Sequence, residues 1–228
     1  MATKVIDTNT FLTQFPLFNV LSEEEKCQLA DALEYRVRPR HSFIYLADDQ
    51  SDVVYFLVKG TIKIGTHSSD GKEIIKSLVH PMAMFGELGL IGQKRREEFA
   101  QALKEEVHYY TLNVKDFRKL MRSNYALSER VMELFGNRLL EAENKLESII
   151  FKDARTRIIE FIKDAISKRG RRIGYEMLLK HSLTHQDIAN ITCTSRQTVT
   201  LVLNELKKMD LIYFNRGKIL VRDMEKLA

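Results

Sequence analysis

The 228-residue chain carries 36 Lys and Arg against 31 Asp and Glu, a formal net charge of +5 at pH 7, with 44% hydrophobic and 29% charged residues. That composition is the one of a globular protein with one large or two ordinary domains, and it excludes a low-complexity chain. No apolar run approaches the length that spans a bilayer and residues 1–15 lack a signal-peptide core, so no membrane partner and a cytoplasmic location are expected. The two cysteines, Cys27 and Cys193, are too few for a four-thiolate iron–sulfur cluster or a metal site within one chain. The charge is unevenly spread: sixteen basic against nine acidic residues from Lys152 onward, and twenty against twenty-two before it. A basic excess confined to one segment is what phosphate neutralisation requires.

Residues 1–35 read as helical, with Ser22 as an N-cap ahead of Glu23, Glu24 and Glu25, where the helix dipole favours acids. From Tyr35 to Leu112 the period is that of strands, with runs at 43–46, 53–58, 61–64, 74–79 and 107–112. Turn residues separate them, and Asp70-Gly71 marks a hairpin. Closely spaced antiparallel strands predict a small barrel or roll. The segment 84–92 interrupts them with three glycines and Glu87, a combination that can offer backbone N–H groups to a phosphate and a carboxylate to sugar hydroxyls.

Residues 114–151 return to helical spacing. Phe135, Leu139, Ala142, Leu146 and Ile149 recur at alternating four- and three-residue steps, a heptad seam expected to pair with its counterpart in a second copy. Leu127, Val131 and Leu134 lie beside the seam and are expected to pack on the barrel. Residues 151–154 read as a hinge, 155–168 as a helix, and 168–172 (Lys-Arg-Gly-Arg-Arg) as a basic loop for DNA, polymerase or solvent.

Residues 183–208 read as a helix-turn-helix. Thr184 with Asp187 caps the first helix, and Ser195 caps a second whose apolar positions are Val199, Val202, Leu203 and Leu206. Arg196, Gln197, Thr200 and Asn204 face outward, groups suited to base edges and phosphates. Cys193 stands where the turn wants glycine. Two strands around Asn215-Arg216-Gly217-Lys218 then form a wing.

With these elements in place the chain resembles the Crp/Fnr family of bacterial transcription regulators. The residues that carry the resemblance are 55–63 (YFLVKGTIK) as its hairpin, 85–90 (FGELGL) as its phosphate-binding cassette, Phe151 and Asp153 at its domain junction, and 194–199 (TSRQTV) opening its recognition helix. It implies an α+β fold: an N-terminal β-roll, a cyclic-nucleotide-binding-like jelly roll, over 1–123; a long dimerisation helix and hinge over 124–151; and a C-terminal winged helix-turn-helix over 152–228. It also implies a homodimer on a two-fold symmetric operator in double-stranded DNA, in contact with RNA polymerase. Gly86, Glu87, Leu88, Arg95 and Arg96 would form the effector pocket. Members that bind cyclic AMP carry an Arg-Ser or Arg-Thr pair just before an alanine, whereas Glu98-Phe99 precede Ala100 here, and Ala142-Glu143 replace the pair that reads adenine. Cyclic AMP is therefore not expected, and neither is haem, for which only His67 or His80 could be offered. An unidentified small molecule, a cyclic nucleotide held by a rearranged Glu87, Arg95 and Arg96, or no effector at all remain as alternatives.

On DNA, Arg196 is expected to read guanine, Gln197 adenine, Leu201 a thymine methyl, with Thr200 beside them. Ser195, Thr198, Arg216 and Lys218 are expected on phosphates. No catalytic motif is present, so enzymatic activity is not expected.

Overall fold

The computed structural model describes residues 7–215 and 217–227. It divides into two compact units, one reaching to Thr66 and resuming over Ser77–Leu140, the other comprising His67–Lys76 and the chain from Glu141 onward.

The first unit begins with helices α1 (Thr8–Gln14) and α2 (Glu23–Ala32). Ser22 closes the expected capping box: Glu25 N donates to Ser22 Oγ (3.2 Å) and Ser22 N to Glu25 Oε2 (2.8 Å). Eight strands follow: β1 (Glu34–Arg38), β2 (Phe43–Tyr45), β3 (Val53–Lys59), β4 (Ile62–His67), β5 (Glu73–Val79), β6 (Met84–Phe85), β7 (Phe99–Ala102) and β8 (Val107–Asn113). They form two antiparallel sheets ordered β1-β8-β3-β6 and β2-β7-β4-β5, the roll that the strand spacing predicts. Three of these strands lie outside the expected runs. β1 begins where helical spacing is expected, β6 has two residues, and β7 is the four-residue Phe99-Ala100-Gln101-Ala102, too short for a readable alternation.

Aromatics of α1 and the turn after it explain the N-terminal segment. Phe11 of α1 stacks on Tyr110 at 4.4 Å between ring centroids, and Phe15 and Phe18 of the following turn each lie within 5.4 Å of Phe56, so this segment packs into the core of the roll. Gly60 (φ +91) is required in the β3–β4 turn, because a Cβ there would stand 2.7 Å from Val107 Cγ1 and 2.9 Å from Glu106 O.

The stretch of helical spacing over 114–151 comprises two helices, α3 (Val114–Ser123) and α4 (Tyr125–Phe151). Asn124 breaks it by presenting its own side chain to Leu127 N (2.9 Å). Leu127 and Val131 are fully buried in the roll's core, and Leu134 packs against it. Phe135, expected in the seam, is partly buried and packs against that core as well. The other seam positions stay exposed, Leu139 at 61%, Leu146 at 59% and Ile149 at 40%, and Met132, one heptad before Leu139, extends the stripe at 57%.

In the second unit, α5 (Ala154–Arg169) starts at Asp153, whose carboxylate accepts from Thr156 N at 2.7 Å. The expected basic loop is instead the end of α5 and an edge strand, β9 (Arg171–Ile173), paired with β10 (Glu176–Lys180). Alternation over so few residues leaves no readable pattern, and β10 lies between β9 and β12 (Lys218–Val221), pairing with both. Helices α6 (His185–Thr192) and α7 (Arg196–Lys208) and strand β11 (Ile212–Asn215) complete a helix-turn-helix on the four-stranded sheet β11-β12-β10-β9. The tip of the β4–β5 hairpin belongs to this unit: Asn190 Nδ2 donates to Glu73 Oε1 (2.9 Å), and Lys145 Nζ to Ile75 O (2.9 Å) and Lys76 O (3.1 Å). Burial holds the Lys145 amine below its ordinary pKa.

Candidate functional site

The helix-turn-helix is set by local chemistry. Thr184 N donates to Asp187 Oδ2 (2.7 Å) while Asp187 N donates to Thr184 Oγ1 (3.0 Å), so α6 starts at a closed capping box. It ends at Cys193 in the left-handed region (φ +51), where a side chain with a Cβ is unfavourable. The turn is braced from α5, since Arg157 Nε donates to Thr192 O (2.9 Å) and Nη2 to Cys193 O (3.1 Å). Sequence reasoning does not find Arg157, which carries no motif and matters only once α5 lies against the turn. Ala189 is fully buried, and Thr194 N donates to its carbonyl at 3.0 Å.

Ser195 Oγ accepts from Thr198 N (3.0 Å), starting α7, whose Val199, Val202, Leu203 and Leu206 are buried. The opposite side is an open groove face formed by Arg196, Gln197, Thr200, Leu201, Asn204, Glu205 and Lys208. Steps of four along a helix place Arg196, Thr200, Asn204 and Lys208 on one line. Arg196 and Gln197 are exposed and make no side-chain hydrogen bond among the described residues. Leu201 is 57% exposed. Thr200 differs, because its hydroxyl donates to Arg196 O (2.9 Å) and lies 2.9 Å from His185 Nδ1. Its oxygen is thus engaged inside the motif. Burial, with Arg196 adding, holds the His185 imidazole below its ordinary pKa.

Ser195 Oγ and Thr198 Oγ1 lie 2.8 Å apart at the start of α7, Ser195 exposed and Thr198 half-buried. Lys218 is exposed on β12, and Gly217 (φ +76) makes the wing turn, its carbonyl accepting from His181 N at 2.9 Å. Arg216 lies outside the described residues.

In the roll, Gly86 (φ +69) initiates a 3-10 turn at Glu87–Ile91, and a Cβ on it would meet Tyr55 Cδ2 at 2.8 Å. Glu87 is 4% exposed and forms an ion pair with Arg138 of α4, which also donates to Met84 O (2.5 Å). Leu88 is half-buried. Arg95 and Arg96, expected together, part company. Arg96 is 2% exposed, lies 4.5 Å over the Tyr45 ring, and donates from Nη1 to Gly86 O (2.7 Å) and from Nη2 to Val53 O (2.5 Å). Arg95 turns outward and donates to Asp48 O (2.7 Å). A joint grip on one phosphate is therefore not formed, because adjacent residues on an extended segment point to opposite sides. Arg96 Nε and the neighbouring Tyr45 Oη are buried with no hydrogen-bond partner among the described residues. Burial, with Glu98 next, pushes the Tyr45 phenol above its ordinary pKa.

Comparison with known proteins agrees with both halves. Residues 35–124 match the cyclic nucleotide-binding domain and residues 156–228 the Crp-like helix-turn-helix domain. The chain belongs to the Crp/Fnr family of transcription regulators. It is 26% identical over 190 residues to the CRP-like cAMP-activated global transcriptional regulator of Mycobacterium tuberculosis, covering 83% of this chain and 84% of the relative. It is also 26% identical over 183 residues to the global nitrogen regulator of a Nostoc species, covering 80% and 82%. Among solved structures, a CooA mutant from Carboxydothermus hydrogenoformans shares the fold with a TM-score of 0.79 at 22% identity, over 94% of this chain and 95% of that one. The family assignment makes this a DNA-binding regulator of transcription.

Proposed function

We propose that the chain acts as a homodimer on a two-fold symmetric operator, with α7 of each subunit in a major groove. The observation that carries this reading is the α7 face, where Arg196, Gln197 and Leu201 are exposed while the other side of the helix is buried. Arg196 would read guanine O6/N7, Gln197 adenine N6/N7 and Leu201 a thymine methyl. Asn204 and Lys208 extend the same line toward bases and phosphate, and Ser195, Thr198, Arg216 and Lys218 would set the register on phosphates. Thr200 would act by holding Arg196 and His185, since its hydroxyl is already engaged.

The dimer reading rests on Met132, Leu139, Leu146 and Ile149, apolar side chains left at the surface at heptad spacing on a 27-residue helix. For the effector, Tyr45, Glu87, Arg96 and Arg138 of the roll would hold a small molecule other than cyclic AMP. Arg96 already serves two backbone carbonyls, and Glu98 stands where cyclic-AMP-binding members carry the arginine of the phosphate-gripping pair, whereas Tyr45 Oη and Arg96 Nε are buried with no hydrogen-bond partner among the described residues. RNA polymerase contact follows from the regulator reading.

The deciding experiment is operator selection from random duplexes, followed by mobility shifts at roughly 50 and 200 mM salt, with sedimentation of the free protein. Enrichment of an inverted repeat with half-sites one helical turn apart, bound by a sedimenting dimer, is the expected result. An asymmetric site bound by a monomer would refute the reading.

A further inference from the structure

The effector domain has a groove whose lining contains none of Gly86, Glu87, Leu88 or Arg96. Residues 48–52 and 93–96 run as a short antiparallel ribbon: Ser51 N donates to Lys94 O (3.0 Å), Asp48 N to Arg96 O (2.8 Å) and Arg96 N to Asp49 O (2.8 Å). That ribbon, the 3-10 turn and the N-terminus of α3 bound the groove.

Its charge is one-sided. Lys94, Arg95, Lys115 and Arg118 line it against the single carboxylate of Asp52. Two of the cations are aimed by backbone carbonyls, Arg118 through Nε to Leu90 O (3.1 Å) and Nη2 to Gly89 O (2.9 Å), Arg95 to Asp48 O. Lys94 and Lys115 are exposed and have no side-chain partner among the described residues. The positive end of the ten-residue α3 adds to the same field.

The lining also holds polar atoms that the chain does not use. Ser51 is 5% exposed and its Oγ has no hydrogen-bond partner among the described residues, nor has Gln93 Oε1. Folded proteins pair nearly all such groups, so two unpaired ones in the lining of one cationic groove call for an occupant. A hydroxyl rotates to donate, and an amide can turn to present either its oxygen or its NH₂.

We propose that this groove is a second ligand site of the effector domain, taking a small phosphate-bearing molecule. The four cations meet the phosphate charge, Ser51 donates to a phosphate oxygen, and Gln93 pairs with a neighbouring hydroxyl or phosphate oxygen. A macromolecular partner would need only the exposed lysines on the rim, whereas Ser51 and Gln93 select a ligand small enough to enter. The site is independent of the effector reading above, since it lies on different side chains.

The test is calorimetric titration of the full-length protein with pyrophosphate at constant ionic strength. Saturable binding is expected, weakened roughly tenfold by the Lys94→Gln/Lys115→Gln pair and about threefold by Ser51→Ala, each variant keeping the unliganded melting temperature. No saturable binding would overturn the proposal. So would a loss in the lysine pair with none in Ser51→Ala, which reduces the groove to a charged rim. Binding that ignores the groove variants and is lost in an Arg196→Ala/Lys218→Ala protein would place the anion on the DNA face and overturn it equally.

Discussion

Arg96 and Arg196 carry the same guanidinium in opposite settings. Arg96 is buried over Tyr45 with two N–H groups on backbone carbonyls, so it holds the roll together. Arg196 is exposed at the first turn of α7 with no side-chain partner among the described residues, so its donor fork is available to a ligand. A sequence motif marks a residue type, but what an arginine does depends on whether its own chain has already satisfied it.

The largest expected effect is on the buried side. Arg96→Ala removes the donors to Gly86 O and Val53 O and opens a cavity beside Tyr45, and should cost about 3 kcal/mol in urea unfolding. Arg196→Ala should leave the urea midpoint unchanged. If Arg96→Ala were neutral for stability, the contrast between the two arginines would fail.

Next in size is readout. Arg196→Ala should lose roughly 1–3 kcal/mol of discrimination at one base pair, seen as flattened competition among operator variants in mobility shifts. Intermediate is the helix stripe: Leu139→Asp with Leu146→Asp should convert a sedimenting dimer to monomer and weaken operator binding without unfolding the roll. Lys218→Ala should act more gently, lowering affinity for all duplexes alike and reducing the salt slope by about 0.9.

The smallest effect is on pH. His185 has a folded pKa below its ordinary 6.5, so its neutral form is favoured in the native state. The native state then binds fewer protons than the unfolded chain between the two values, and stability falls as pH drops below 6.5 toward the folded pKa. His185→Gln should remove that slope, measured as the difference in melting temperature between the two proteins across mildly acidic buffers.

Legibility follows the range of the interactions. The capping boxes at Ser22 and Thr184, the N-cap at Ser195, the Asp70-Gly71 turn and the buried stripe of α7 depend on neighbours within four residues, and each is readable from residue type and spacing alone. Strands β6, β7, β9 and β10 are not, since two to five residues carry too short a period and owe their order to partners far along the chain.

The same division holds for the sites. Periodicity, caps and the asymmetric charge determined from the sequence alone that a roll precedes a winged helix-turn-helix, and which helix side would stay open. Only the tertiary structure decided that Phe135 packs against its own core, that Arg157 braces the turn at Cys193, and that Arg96 and Arg95 face opposite ways. The reason is that a side chain's partners are set by which backbone carbonyls and rings arrive beside it, and those come from segments that no local pattern connects.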